Sequence, residues 1–406
     1  MRILFLTISY SDEQRVSFYE DLLQEFVSNG HNVSVACAVE RRTGKETTLK
    51  KIRGIDVLQI RTGNLTGNVG LVEKGLSTIS IDNCFKKSIS RYFQNIDFDL
   101  IIYPTPPITL AGTVKYLKNK TGASTYLLLK DIFPQNAVDL GMMSKKGVKG
   151  LIYSYFRAKE KQLYQVSDYI GCMSPANVNY LLDHNSDIDS AHVEVCPNCV
   201  KPIPLNFSEF TKDEVRNKYR IPLDKTVYLY GGNLGKPQGI DFVLDCLEAC
   251  SQLKDAFFLI IGGGTEAEKI KTFINDHKVP NAMILGALPK DEYEGMVRAC
   301  DVGLIFLDNR FTIPNFPSRI LSYLQSSLAV LVAADHATDM GDIAVSNGFG
   351  WKCYSDDIQS FVEAVRESSN CDLRAMGEAG HQYLLENYNV NNGYKIIAKH
   401  FENAIL

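Results

Sequence analysis

Short apolar runs recur along the chain, each leaving through a polar or glycine-bearing turn into apolar residues at helical spacing. In the first half, strands are expected at Ile3–Ile8, Asn32–Ala38, Asp56–Arg61, Leu100–Tyr103, Ser124–Leu129, Tyr169–Met173 and Val193–Cys196. Arg15–Asn29 has the pattern of an amphipathic helix, and Gly30 follows it where a left-handed cap belongs. Lys201–Asn206 carries a proline and no periodicity, as a linker would. The alternation then repeats, with strands expected at Thr226–Tyr230, Phe257–Ile261, Ala282–Leu285, Val302–Leu307 and Val330–Ala334. Continuous apolar strands separated by helices imply parallel sheets covered on both faces. The expected fold is therefore α/β, with two Rossmann-like doubly wound domains facing a cleft. Their bounds are placed at 1–203 and 204–385, and the amphipathic run Asn391–Leu406 within 386–406 packs back on the first. Ligands belong at the C-terminal strand ends.

Length supports the division, since 406 residues exceed one ordinary core. No apolar run approaches the roughly 20 residues that span a bilayer. MRILFLTISY alternates into a strand without a cleavage site and does not read as a signal peptide, so a cytoplasmic chain is expected. The ten cysteines then read as reduced thiols. The pair Cys196 and Cys199, with His192 near, lacks a second close pair for zinc, and buried small hydrophobes are the expected role. The net charge of −4 divides into +3 over residues 1–200 and −7 over the rest. Arg41, Arg42, Lys45, Lys50, Lys51 and Arg53 face one acid, Glu46; a solvated edge is expected there, with lipid or phosphate binding as the other reading. Lys145–Gln165 is basic and aromatic, with Val148, Leu151, Ile152, Tyr155 and Phe156 at helical spacing. That stripe is expected in the core, and peripheral contact with the inner membrane is the second reading. Nothing suggests nucleic-acid recognition.

Two segments carry the candidate chemistry. YLYGGNLGKPQG (Tyr228–Gly239) and FPSRILSYL (Phe316–Leu324) each read as a loop entering a helix, with a cation close by. Free N–H groups at helix starts, glycines that let the backbone approach, and Lys or Arg together make a diphosphate site.

These segments, with the CPNCV stretch at Cys196–Val200, Gly262–Gly264 and Leu285-Gly286, resemble the family 4 retaining glycosyltransferases, which have the GT-B fold. LLLKDIFPQNAVDLG further resembles the bacterial branch that builds capsule, O-antigen and related lipopolysaccharide glycans. The resemblance implies transfer of a hexosyl or N-acetylhexosaminyl group from a nucleotide-sugar, expected to be UDP-linked, to a polyprenyl-linked glycan with retention. The leaving diphosphate gains charge as the anomeric bond breaks, so cations and dipoles aimed at it are what catalysis requires. By resemblance, Gly232, Asn233, Lys236, Gly263, Gly264, Ala287, Leu288, Ser318, Arg319 and Ser322 bind the donor. Lys130, Asp131, Lys236 and Arg319 are the catalytic candidates, and Ser9, Arg15 and Thr105 the acceptor contacts. Asp131 would accept or orient the acceptor's proton; an ion pair between Lys130 and Asp131 is the structural alternative. No cofactor or metal is expected, protein cations filling that role.

Several places depart from the family pattern. Its Arg and Lys after the glycines fall here on Asn233 and Gln238, with Lys236 displaced by two, and its paired glutamates fall on Pro314 and Ser322. The N-terminal loop SYSDEQR lacks the family's glycine pair, and Asp308, Asn309 and Arg310 stand as candidate substitutes. A non-catalytic GT-B subunit assisting a partner, or a nucleotide-sugar epimerase, stays open. A dinucleotide oxidoreductase is disfavoured because Gly231-Gly232 does not make a GxGxxG fingerprint.

Overall fold

The computed structural model describes residues 1–10, 18–65, 69–204 and 211–401. It contains two compact units, Met1–Val200 with Val390–Leu406, and Lys201–Asn389. The chain leaves the first unit at Lys201, where the proline-bearing stretch begins, and returns to it at Val390.

The first unit is an eight-stranded sheet: β1 (Arg2–Thr7), β2 (Asn32–Glu40), β3 (Thr48–Ile52), β4 (Ile55–Thr62), β5 (Leu100–Pro104), β6 (Ser124–Leu129), β7 (Tyr169–Cys172) and β8 (Val193–Val195). Its order is β3-β4-β2-β1-β5-β6-β7-β8, parallel except for the β3–β4 pair. The pleat sends alternate side chains to two layers. Leu4, Leu6, Leu127 and Leu129 enter one core, while Ile3, Phe5, Tyr126 and Leu128 enter the other. Helix Phe18–Ser28 lays Leu22, Leu23 and Phe26 on the second layer. Helix Val390–Ala398 joins it there through Tyr394 and Ile397, and Tyr394 Oη hydrogen-bonds His31 Nε2 (3.1 Å).

The second unit is a six-stranded parallel sheet: β9 (Thr226–Asn233), β10 (Ala256–Gly263), β11 (Ala282–Leu285), β12 (Val302–Phe306), β13 (Ala329–Ala334) and β14 (Gly350–Tyr354). Its order is β11-β10-β9-β12-β13-β14. In both units the winding reverses beside the first strand, between β1 and β5 and between β9 and β12. At such a reversal the loops leave to opposite faces, which opens a crevice outside the strand ends.

Two strands escaped the sequence pattern. β3 is a short amphipathic edge on which Lys50 and Lys51 are exposed, and β14 carries glycine and lysine in its run. The basic segment around β3 is laced with acids: Arg41 pairs Glu73 (3.0 Å), Arg42 pairs Glu40 (2.7 Å), and Arg53 pairs Glu20 (3.2 Å). A solvated, paired edge is what the structure shows there.

The packing of Tyr394 between Phe26 (ring centroids 5.0 Å apart) and His31 makes the returning helix part of the first core. Tyr394→Ala should destabilise the first unit by about 3 kcal/mol, the scale of an aromatic truncation in a core. Denaturant unfolding followed separately for the two units checks this: the first unit's midpoint falls while the second's stays. An unchanged midpoint would mean that the helix contributes nothing to that core.

Candidate functional site

In the second unit the glycines stand where two strands end together. β9 and β10 pair through Gly232 opposite Gly262 and Asn233 opposite Gly263. A Cβ on Gly262, where φ is +148°, would lie 1.9 Å from the Gly232 carbonyl oxygen, so only glycine permits this approach. A Cβ on Gly231 would lie 2.1 Å from Tyr293 Oη. Gly263 faces open space, and its carbonyl accepts from the Leu234 N–H (2.9 Å) as Gly264 leads away. Beyond the strand the chain turns through a short 3-10 segment, Lys236–Gln238. Gln238 Oε1 holds this turn by accepting from the Gly235 N–H (3.0 Å) and from Asn233 Nδ2 (3.4 Å). The two residues at the family's cation positions thus brace the loop. Lys236 is exposed, and its ammonium has no carboxylate partner among the described residues.

Arg319 opens helix Arg319–Gln325 and comes to the same place. Its guanidinium lies over the Tyr230 ring, 4.7 Å from the centroid, and Nη2 reaches the Asn233 carbonyl at 3.5 Å. Nη1 is screened from solvent without a hydrogen-bond acceptor, and no carboxylate pairs with this residue among the described residues. A planar cation with one nitrogen left without an acceptor, beside two glycine-bearing strand ends, can receive an anion. The stack on Tyr230 is worth about 0.5–2 kcal/mol and keeps the fork in place. Tyr323, one turn along the helix, accepts from the Gly231 N–H (3.0 Å) and donates to the Leu304 carbonyl (3.2 Å). It ties the Arg319 helix to β9 and β12 at once.

The other expected donor contacts lie on the same edge. Ala287 and Leu288 follow β11, in the loop after the strand beside β10. Ser318 is exposed at the helix start and its side chain does not cap it; Ser322 is half-buried and Pro314 buried. Asp308 follows β12, and its N–H bonds the Pro237 carbonyl (3.0 Å). Arg310 grips it in a two-pronged pair (2.8 and 2.7 Å). Burial pushes that carboxyl up, but these bonds and the Arg310 N–H outweigh it and hold it below the usual range. Arg310 is therefore already committed to a partner.

In the first unit, Ser9, Thr105 and Lys130-Asp131 follow the neighbouring strands β1, β5 and β6. Ser9 is exposed, and Arg15 lies outside the described residues. Thr105 is buried; its hydroxyl accepts from the N–H groups of Lys130 (2.9 Å) and Asp131 (3.1 Å) and donates to the Asp131 carbonyl (3.1 Å). It positions the next two residues. Lys130 and Asp131 make no ion pair with each other. Lys130 follows Tyr126 and Leu128 to the second layer and donates to the Cys196 carbonyl (2.7 Å), beside buried Cys196 and Cys199. Asp131 accepts from Asn136 Nδ2 (2.8 Å). Burial raises the Asp131 carboxyl against the pull of that bond, and burial lowers the Lys130 ammonium against the pull of the neighbouring thiols.

Residues 211–383 match the family described as glycosyl transferases group 1. Over 324 residues the chain is 24% identical to the probable glycosyltransferase WbjE of Pseudomonas aeruginosa, covering 78% of this chain and 77% of that one. The chain is a glycosyltransferase of the GT-B fold. It is also 21% identical over 274 residues, 66% of each chain, to a protein of Escherichia coli (strain K12) whose name ties it to colanic acid biosynthesis, the glycosyl transferase WcaI. Among solved structures, Anabaena HepE in complex with UDP and glucose aligns with a TM-score of 0.70 at 13% identity, over 99% of this glycosyltransferase and 100% of HepE.

Sequence reading of the glycosyltransferase missed Tyr230 and Tyr323, and took Gln238 only as a departure from the family's lysine. The tyrosines look like core residues in an apolar run; their spacing marks them, because Tyr230 immediately precedes Gly231 and Tyr323 lies four residues after Arg319.

Lys130 is a cation kept in a place that disfavours charge. Its lowered pKa means that the unfolded chain binds more protons than the folded one between that pKa and the ordinary 10.5. Folding stability from this group therefore rises with pH across that window. Relative to Lys130→Met, the wild type should gain stability between neutral pH and pH 10, read from paired denaturant titrations. A flat difference would place the ammonium in water, and one that falls with pH would give it an anionic partner; either would contradict the burial.

Proposed function

We propose that this glycosyltransferase moves a sugar from a UDP-linked donor to a growing polyprenyl-linked surface glycan, with retention of configuration. The observation that carries the reading is Arg319: a guanidinium stacked on Tyr230, with one nitrogen screened from water and unpartnered, beside the glycine ends of β9 and β10. The bond from the anomeric carbon to the diphosphate breaks with its electron pair leaving on phosphate. Arg319 and Lys236 stabilise that charge, and the backbone at Gly232, Asn233, Gly263 and Gly264 approaches the phosphates and nucleotide. Ala287 and Leu288 flank the base, while Ser318 and Ser322 complete the donor contacts. The acceptor oxygen forms the new bond, and its proton is taken or oriented at Asp131, whose raised pKa suits proton transfer. Lys130 balances charge, Ser9 and Arg15 contact the acceptor, and Thr105 sets the Lys130-Asp131 turn. Protein cations serve in place of a metal.

Support for the donor class comes from the family and from HepE, solved with UDP and glucose. Support for a surface glycan comes from WcaI, named for colanic acid. The transferred group is read as hexosyl or N-acetylhexosaminyl. A lipid-linked acceptor would bring the chain to the cytoplasmic face of the inner membrane.

Thermal melting against UDP, GDP, dTDP and CMP with their sugar conjugates tests the donor reading. At about 100 times its dissociation constant a ligand adds about 2.7 kcal/mol of stability. Selective stabilisation by UDP, lost in Arg319→Ala and weakened in Lys236→Ala, is expected. No response to any nucleotide would favour the non-catalytic subunit, in line with Pro314 and Ser322 at the family's glutamate positions.

A further inference from the structure

Helix Gly147–Val166 has two faces that ask for apolar surroundings, and the protein covers one. Gly150, Glu160, Leu163 and Tyr164 are buried. Val148, Leu151, Ile152 and Tyr155 instead point outward, with Val148 79% and Leu151 73% exposed. Their i, i+3, i+4, i+7 spacing is the one expected to meet a core, so the core reading is corrected for these four, while Phe156 does pack on the core beside Phe133. Met142, just ahead of the helix, is 63% exposed. A single exposed leucine is ordinary, whereas a contiguous stripe on one helix marks a contact surface.

A second helix of the same unit also carries exposed apolar residues. On helix Leu71–Tyr92, Leu76 is 65% and Ile79 50% exposed. Both are crossover helices, linking β4 to β5 and β6 to β7, and they run against the strands. Their first turns therefore stand at the C-terminal end of the sheet, the end that carries Thr105, Lys130 and Asp131.

The charge around the stripe selects its occupant. From Gly141 to Lys159 the chain carries Lys145, Lys146, Lys149, Arg157 and Lys159, and no Asp or Glu. Arg157 is engaged by Glu160, which leaves the four lysines; two of them lie over rings, Lys145 at Tyr153 (5.4 Å) and Lys159 at Tyr155 (5.8 Å). The basic segment near β3 differs in kind, because its arginines are paired with acids. A second copy of this face would set lysines against lysines. No described helix is long and apolar enough to cross a membrane, which leaves surface insertion.

We propose that the outward face of this helix docks the protein on an anionic bilayer. Val148, Leu151, Ile152 and Met142 enter the boundary between headgroups and acyl chains, and Lys145, Lys146 and Lys149 meet the lipid phosphates. Its use in meeting a lipid-linked acceptor rests on the function proposed above; the docking does not.

Co-sedimentation of the full chain with vesicles of phosphatidylcholine, with and without one third phosphatidylglycerol, tests it. Binding is expected to the phosphatidylglycerol vesicles and to fall in 0.5 M salt. Leu151→Glu with Ile152→Glu should lower partitioning at least tenfold, and each of Lys145→Gln, Lys146→Gln and Lys149→Gln by about fivefold, the weight of one basic residue at such a surface. Both classes of variant should melt as the wild type does. Failure of the wild type to bind, or equal binding by the Leu151/Ile152 variant, would overturn the proposal. Sedimentation velocity that showed a dimer abolished by the same variant would assign the face to a second copy and overturn it too. Vesicle binding without any nucleotide response would sustain the docking face while sinking the donor reading.

Discussion

Everything distinctive about the second unit follows from how closely the ends of β9 and β10 approach. The Gly232 carbonyl occupies the space that a side chain at residue 262 would need. With no side chain there, the ends of β9 and β10 lie side by side, next to the reversal of the sheet order between β9 and β12. Arg319 reaches that surface from a helix roped to both neighbouring strands by Tyr323. The result is a cation held against a ring, with Nη1 directed at no acceptor in the protein. A half-buried guanidinium without a carboxylate partner costs stability, and a bound anion would offset that cost.

The first unit shows the same logic with the signs divided between two faces. Tyr126, Leu128 and Lys130 share one side of β6 and its continuation, and Leu127, Leu129 and Asp131 the other. The pleat alone separates an ammonium from a carboxylate that adjoin in sequence. Each is left with a neutral partner, Cys196 carbonyl or Asn136 amide, and each is shifted by burial toward its uncharged form. Thr105 holds the turn that makes this separation possible.

The strands of both sheets were legible because parallel strands buried on two faces are continuous apolar runs. β3 and β14 were not, since an edge strand needs no such run. The glycine loops and Arg319 could be read as phosphate ligands from residue type and order. The roles of Gln238 and Asn233 as braces could not, because a turn's internal hydrogen bonds leave no mark in composition. Periodicity also misled at Gly147–Val166: it reports that a helix has an apolar face and is silent on what that face meets. The apolar turns at Val148–Tyr155 precede the buried turns at Glu160–Tyr164, and only the packing separates them.

The central claim is that Arg319 and the β9–β10 ends form a diphosphate site. Calorimetric titration of the full chain with UDP and with uridine addresses it directly. Two charge-assisted contacts make UDP bind about a hundredfold more tightly than uridine, and Arg319→Gln removes most of that difference. Equal affinities for UDP and uridine, or a variant that binds UDP as the wild type does, would contradict the account.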